Sequence, residues 1–350
     1  LSTTVIAQFS TAQIGGITTT QVTNLPVSDF QVLSAAQLSE LSLTQTGYLS
    51  TTDLAVLTTS QLGGFTAAQL GVMSGSQLGA FSTTALADLS TTQVGGLSAA
   101  QVGGMSTTAI NALTTTVMAN LSTGQIGGLT AGQLSNLSAT NFAALSSGQM
   151  AGISNAQFAA LSTTALTALS TIQIGGVTAG QISQLSTTQF NALATNVIAQ
   201  FSTAQIGGVT TTQITNLPVS DFQVLSAAQL SEFSLTQTGY LSTTDLAVLT
   251  TSQLGGFTAA QLGVMSGSQL GAFSTTALAD LSTTQVGGLS AAQMGGMSTT
   301  AINALSTTVI ANLSTSQIGG LSTTQVTNLT TGAFGALSAG QIAGLSNAQF

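Results

Sequence analysis

Every eighth residue of the chain, from Leu1 to Leu345, is a large apolar one, with no insertion or deletion to break the register. The sequence is one octapeptide written 43 times, followed by six residues of a 44th. Octad 1 is residues 1–8 and octad 12, Leu-Ser-Thr-Thr-Gln-Val-Gly-Gly, is residues 89–96. Position 1 is apolar in all 44 octads and position 6 in 42; position 2 is Ser or Thr in 41, and position 5 is Gln in 29. A strict period this short cannot bury a core within one unit. It requires a solenoid or fibre in which each unit rests on its neighbours.

A continuous helix does not fit the period. Eight residues at about 100° each leave the apolar stripe about 80° out of phase at every repeat. The helix must break once per octad, and the octad contains the break. An apolar residue, then Ser or Thr, two residues, Gln and a second apolar residue make a hydrophobic staple over a capping box. In octad 12, Ser90 is expected to accept from the amide of Gln93, Gln93 to reach back to the amide of Ser90, and Leu89 to pack on Val94. Gly95 and Gly96 are expected to end the turn, with glycine supplying a left-handed conformation. The alternative is a β-solenoid, which the threonine content favours. Against it, apolar positions separated by five and then three residues point to opposite faces of an uninterrupted strand.

The expected fold is thus an all-α repeat solenoid of short capped helical turns, one per octad, with the β-solenoid as alternative. Each coil is expected to hold two octads. The basis is parity: among the first 24 octads Gly-Gly ends octads 2, 8, 12, 16 and 22 but only one odd octad, the thirteenth, and Phe at position 6 occurs only in even ones. Residues 1–350 read as one continuous array with a longer period above the octad. Residues 193–350 repeat residues 1–158 at an offset of 192, with 22 differences, as an incomplete second copy of 1–192. The array is expected to be a fragment of a longer chain.

Composition removes several function classes. The chain has no Lys, Arg, His, Cys or Trp, and its eight acidic residues give a net charge of −8. Nucleic acid and anionic membranes are held chiefly through Lys and Arg, so neither is an expected partner. Polar residues interrupt every apolar stretch before the roughly 18 residues of a membrane span, so none is expected. Thiolate and imidazole metal ligands are lacking. With only carboxylates, hydroxyls and two tyrosines left, no enzyme activity, cofactor or small-molecule substrate is expected. Asn120, Asn136, Asn312 and Asn328 begin N-x-Ser/Thr matches, which the octad generates by itself.

The acids are Asp29, Glu40, Asp53 and Asp88, with copies Asp221, Glu232, Asp245 and Asp280. The nearest two are eleven residues apart, without a calcium-loop pattern. Carboxylates at position 5, as in Asp29 and Asp53, suit a helix N-terminus. The pattern is most disturbed in octads 4–7 and their copies. Pro26 and Pro218 stand where the cap should be, Thr46 and Thr238 replace the position-6 apolar residue, Leu43 and Leu235 add one at position 3, and Tyr48 and Tyr240 are the only tyrosines. A local repacking is the simpler reading. The functional one is a lateral-contact patch of Pro26, Asp29, Glu40, Tyr48 and Asp53, repeated as Pro218, Asp221, Glu232, Tyr240 and Asp245.

Runs such as Leu-Ser-Thr-Ser-Gln-Ile-Gly-Gly (313–320) and Leu-Thr-Ala-Gly-Gln-Leu-Ser-Asn (129–136) resemble the Leu-Ser/Thr-x-x-Gln-Ile/Leu arrays of giant secreted or surface-anchored proteins of Gram-negative bacteria. The resemblance covers the whole chain. It implies an extracellular or cell-surface structural or adhesive fibre, exported by a dedicated secretion system, without the acidic calcium loops of calcium-dependent adhesins. The expected partner is the protein itself, through head-to-tail and lateral contacts. The alternative is a module that binds a repetitive surface, such as ice, through its threonines.

Overall fold

A computed structural model describes residues 2–349. Two compact units divide the chain, residues 1–177 and 178–350. Each full octad forms one helix of four to six residues, 43 in all among the described residues, and no strand occurs among them. The β-solenoid alternative is thereby excluded.

Octad 12 shows why the segments are helical. The Ser90 hydroxyl accepts from the Gln93 amide at 3.2 Å, and the Ser90 amide donates to Gln93 Oε1 at 2.9 Å. The helix Thr91–Gly95 is thus held by a complete capping box. Val94 N–H donates to the Ser90 carbonyl at 3.1 Å, and Leu97 N–H to that of Val94 at 3.0 Å, closing the turn at both ends. Positions 1 and 6 point inward, as in Leu89 and Val94, which are 4% and 2% exposed, with Phe334 at 40% an exception. A helix this short has almost no internal hydrogen bonds and would not survive alone, so caps and packing must stabilise it.

The coil differs from the expected one. Each helix packs on the third helix after it: Ala99–Gly104 on Thr123–Gly128, and that one on Ser147–Gly152. The same holds in the second unit, where Ala291–Gly296 packs on Thr315–Gly319. One coil is therefore three octads and not two. Three columns of stacked helices result in each unit. Octads 1, 4 and 7 begin the first column, 2, 5 and 8 the second, 3, 6 and 9 the third, and the same count in threes names the columns of the second unit. Two flat rows of helices would bring the position-1 and position-6 side chains of opposite rows together in pairs. Three columns instead enclose an interior wide enough for phenylalanines, as where the rings of Phe65 and Phe81 meet edge-on at 6.3 Å, and Phe190 and Phe201 at 6.1 Å. The long sequence repeat is eight coils, so duplication keeps every octad in its column.

The glycines also act differently from the expectation. No described residue has a positive φ, and Gly96 closes its helix in the right-handed region at φ −78°, ψ −8°. Glycine at position 8 is needed for close approach instead. A Cβ on Gly96 would lie 2.9 Å from Ala67 Cβ, and one on Gly208 only 2.5 Å from the Ala179 carbonyl oxygen. Position 7 varies with the octad: a Cβ on Gly95 or Gly207 meets nothing within 4 Å, whereas one on Gly103 would lie 2.1 Å from the Gly128 carbonyl oxygen.

Candidate functional site

The side chain that does most in this fold is the position-5 glutamine, which works with both ends of its amide. Gln69 Oε1 accepts from the Thr66 amide at 2.8 Å and from its hydroxyl at 3.1 Å, capping its own helix. Gln69 Nε2 donates to the carbonyls of Leu38 at 2.9 Å and Leu41 at 2.8 Å, one coil earlier. These are carbonyls at the C-terminal end of a helix and in the link that follows it; the Leu38 carbonyl also accepts from the Leu41 amide at 3.2 Å, so the glutamine is its second donor. One amide therefore joins the start of one helix to the corner of the coil before it. Gln149 repeats the pattern on Met118 and Leu121, both at 2.8 Å, and Gln213 does so on Ile182 and Leu185, both at 2.8 Å. Gln69 is 2% exposed and Gln213 1%. Among the described residues, no buried side-chain polar atom lacks a partner. The sequence reading found the capping half of this arrangement and missed the half that joins coils.

Where position 5 is not Gln, the corner changes. Asn141 is one methylene shorter and reaches the Asn111 and Leu113 carbonyls only at 3.3 Å. Asn111, at position 7, binds across the same corner, donating to the Asn136 carbonyl at 2.9 Å and accepting from the Ser138 amide at 2.8 Å. At Ala165 the amide is missing, and a cleft of about 320 Å³ opens, lined in part by Leu137, Phe142, Ser162 and Ala165.

The disturbed octads spread over all three columns. Pro26 and Pro218 take the N-cap position of the helices Val27–Val32 and Val219–Gln223 without a side-chain cap bond. Asp29 and Asp221 lie inside those helices, 2% and 3% exposed. Burial pushes the Asp221 carboxyl above the ordinary carboxylate range, and a 2.7 Å hydrogen bond donated by the Thr195 hydroxyl opposes part of the shift. Asp53 and Asp245 are buried in capping boxes; Asp53 Oδ2 accepts from the Ser50 amide at 2.9 Å and from its hydroxyl at 2.7 Å. Asp29 and Asp53 share the first column. Glu40 and Glu232 are exposed in the second, Tyr48 and Tyr240 in the third. The buried Thr46 and Thr238 turn their hydroxyls back to the carbonyls of Ser42 and Ser234 at 2.9 and 3.0 Å, so a polar side chain takes an apolar place with its bond satisfied. No helix is long and apolar enough to cross a membrane among the described residues.

Columns of capped turns tied by an amide at most corners define an all-α repeat protein. The ALTTAQ repeat matches residues 76–107, 150–187, 240–275, 268–299 and 300–331, together just under half of the chain, and these stretches are similar to that repeat. The letters of its name run from position 8 through the staple and cap to the glutamine, as in Val-Leu-Thr-Thr-Ser-Gln at 248–253. No curated protein matches the chain.

Proposed function

We propose that the protein is a non-enzymatic structural component that associates with copies of itself into an extracellular or cell-surface filament or matrix. The observation that carries this reading is where its reactive groups are used. The position-2 hydroxyls cap helices, the glutamine amides join coils, and four of the eight carboxylates are buried within helical turns. Such a design invests its polar chemistry in holding a repeating scaffold. The outward faces carry mostly Thr, Ala, Ser and Gly, and the chain has no lysine or arginine to hold neighbours apart. The octads' resemblance to secreted and surface arrays favours a location outside the cell. Sedimentation velocity across a concentration series tests the assembly, with growth of large species expected. A monomer that stays monodisperse at high concentration overturns it, and labelling of intact source cells with an antibody tests the location.

A further inference from the structure

We infer that lateral association runs through one apolar strip on the third column, and that its occupant is the same strip on a second copy of the chain. This rests on the self-associating reading above and names the surface that reading requires. In the first unit, Leu43, Tyr48 and Val72 are 48%, 62% and 43% exposed. They lie on octads 6 and 9, which are stacked; a Cβ on Gly47, the residue before Tyr48, would lie 3.9 Å from the Val72 carbonyl oxygen. The same column presents Thr19 and Asn24 on one side of the strip, and Ala67 and Gly96 on the other. The strip is therefore a bounded apolar island on a surface of small and polar residues. The second unit repeats it as Leu235, Tyr240 and Val264, at 48%, 57% and 42% exposed. The first column of this unit also exposes Val5, Val32 and Ile172, at 43%, 40% and 75%, but it is the column that carries the buried carboxylates.

Charge selects the occupant. The four buried carboxylates all lie in the first column, and the four exposed ones, Glu40, Asp88, Glu232 and Asp280, all lie in the second. The third column carries no ionisable group except the tyrosine hydroxyls. Two copies of a chain with eight negative charges and no positive ones repel through their second columns. They can approach through the third, where apolar surface is removed from water with no charge to desolvate. A cationic partner would be drawn to the second column and away from the strip. Pairing like with like suits a two-fold contact, in which each Tyr48 packs on the partner's Leu43 and Val72.

Two experiments test this on the full chain. In the first, Leu43, Tyr48 and Val72 are changed to Ser together with Leu235, Tyr240 and Val264, and self-association is followed by sedimentation. The change is expected to weaken association roughly tenfold or more, with the circular dichroism spectrum unaltered because all six side chains are exposed. In the second, Tyr48→Cys is compared with Thr83→Cys on the second column under mild oxidation; the chain has no native cysteine to interfere. Disulfide dimers are expected to form much faster from Tyr48→Cys. Association that survives the six substitutions, or equal cross-linking at the two sites, overturns the strip while leaving self-assembly standing. A wild-type chain that never associates overturns both.

Discussion

At the scale of single residues, stability turns on the side-chain amide that bridges the two carbonyls of a corner, the first of which also accepts from the backbone, as Leu134 does from the Leu137 amide at 3.3 Å. Ala165 stands as far after Leu134 and Leu137 as Gln149 stands after the Met118 and Leu121 carbonyls it bonds, and a cleft occupies the place of the missing amide. Ala165→Gln is expected to fill it, bond both carbonyls and raise stability by about 0.5–1.5 kcal/mol; an unchanged or lowered midpoint in chemical denaturation would show that the corner cannot accept the amide. Asp221 gives a second residue-scale expectation, with the opposite chemistry. Its folded form holds the proton more tightly than the unfolded chain, whose ordinary value is 3.8, so its contribution is present below 3.8 and is lost as pH rises through the higher folded value. Asp221→Asn keeps the size and an acceptor for Thr195, and is expected to raise the melting temperature at neutral pH but not in acid below the unfolded value. An equal gain at both pH values would remove ionisation as the cause.

At the scale of the element, the octad was legible and the coil was partly so. The capping box could be read from Ser90 and Gln93 because both partners sit in one turn and need nothing beyond it. The link from Gln69 to Leu38 and Leu41 spans a whole coil, and no local pattern announces it. The period of three octads was nonetheless present in the exceptions to glutamine. Val117, Asn141 and Ala165 are successively three octads apart, as are Ala85 and Ala109, Asp29 and Asp53, and Asp221 and Asp245. Substitutions that recur at the coil spacing reflect side chains that share a column. The parity of Gly-Gly endings pointed to two octads only because few were counted; octads 2 and 8 lie in the second column, 12 in the third, 13, 16 and 22 in the first. Glycine's part was misread for a related reason, since the contact that requires it lies in the neighbouring coil. Gly207→Ala, facing open space, is expected to stabilise by up to about 1 kcal/mol through helix propensity. Gly208→Ala, driven against the Ala179 carbonyl, is expected to cost about 1–3 kcal/mol. Paired thermal melts decide it, and equal effects at the two residues would refute the close approach assigned to Gly208.

At the scale of the whole molecule, the fold depends on register more than on any one residue, because every corner bond joins octads three or four apart. Removing residues 73–96, three octads and one coil, brings octad 9 to octad 13 and leaves each later octad in the column it occupied. Position-5 glutamines beyond the join then face the same classes of carbonyl, positions 6 and 1 of octads in the preceding coil. Removing residues 73–88, two octads, shifts every following octad by one column relative to those before the join. Across that join the apolar positions still point inward, since the octad register is intact. What is lost is the pairing of neighbours that have adapted to each other, such as the glycines of position 8 and the small residues of position 3 they pack against. The three-octad deletion is therefore expected to keep a cooperative melt with helicity per residue unchanged. The two-octad deletion is expected to melt earlier and less cooperatively, with protease cleavage concentrated at the join. A coil of two octads demands the reverse order of stability, so the two deletions, measured side by side, decide the coil directly.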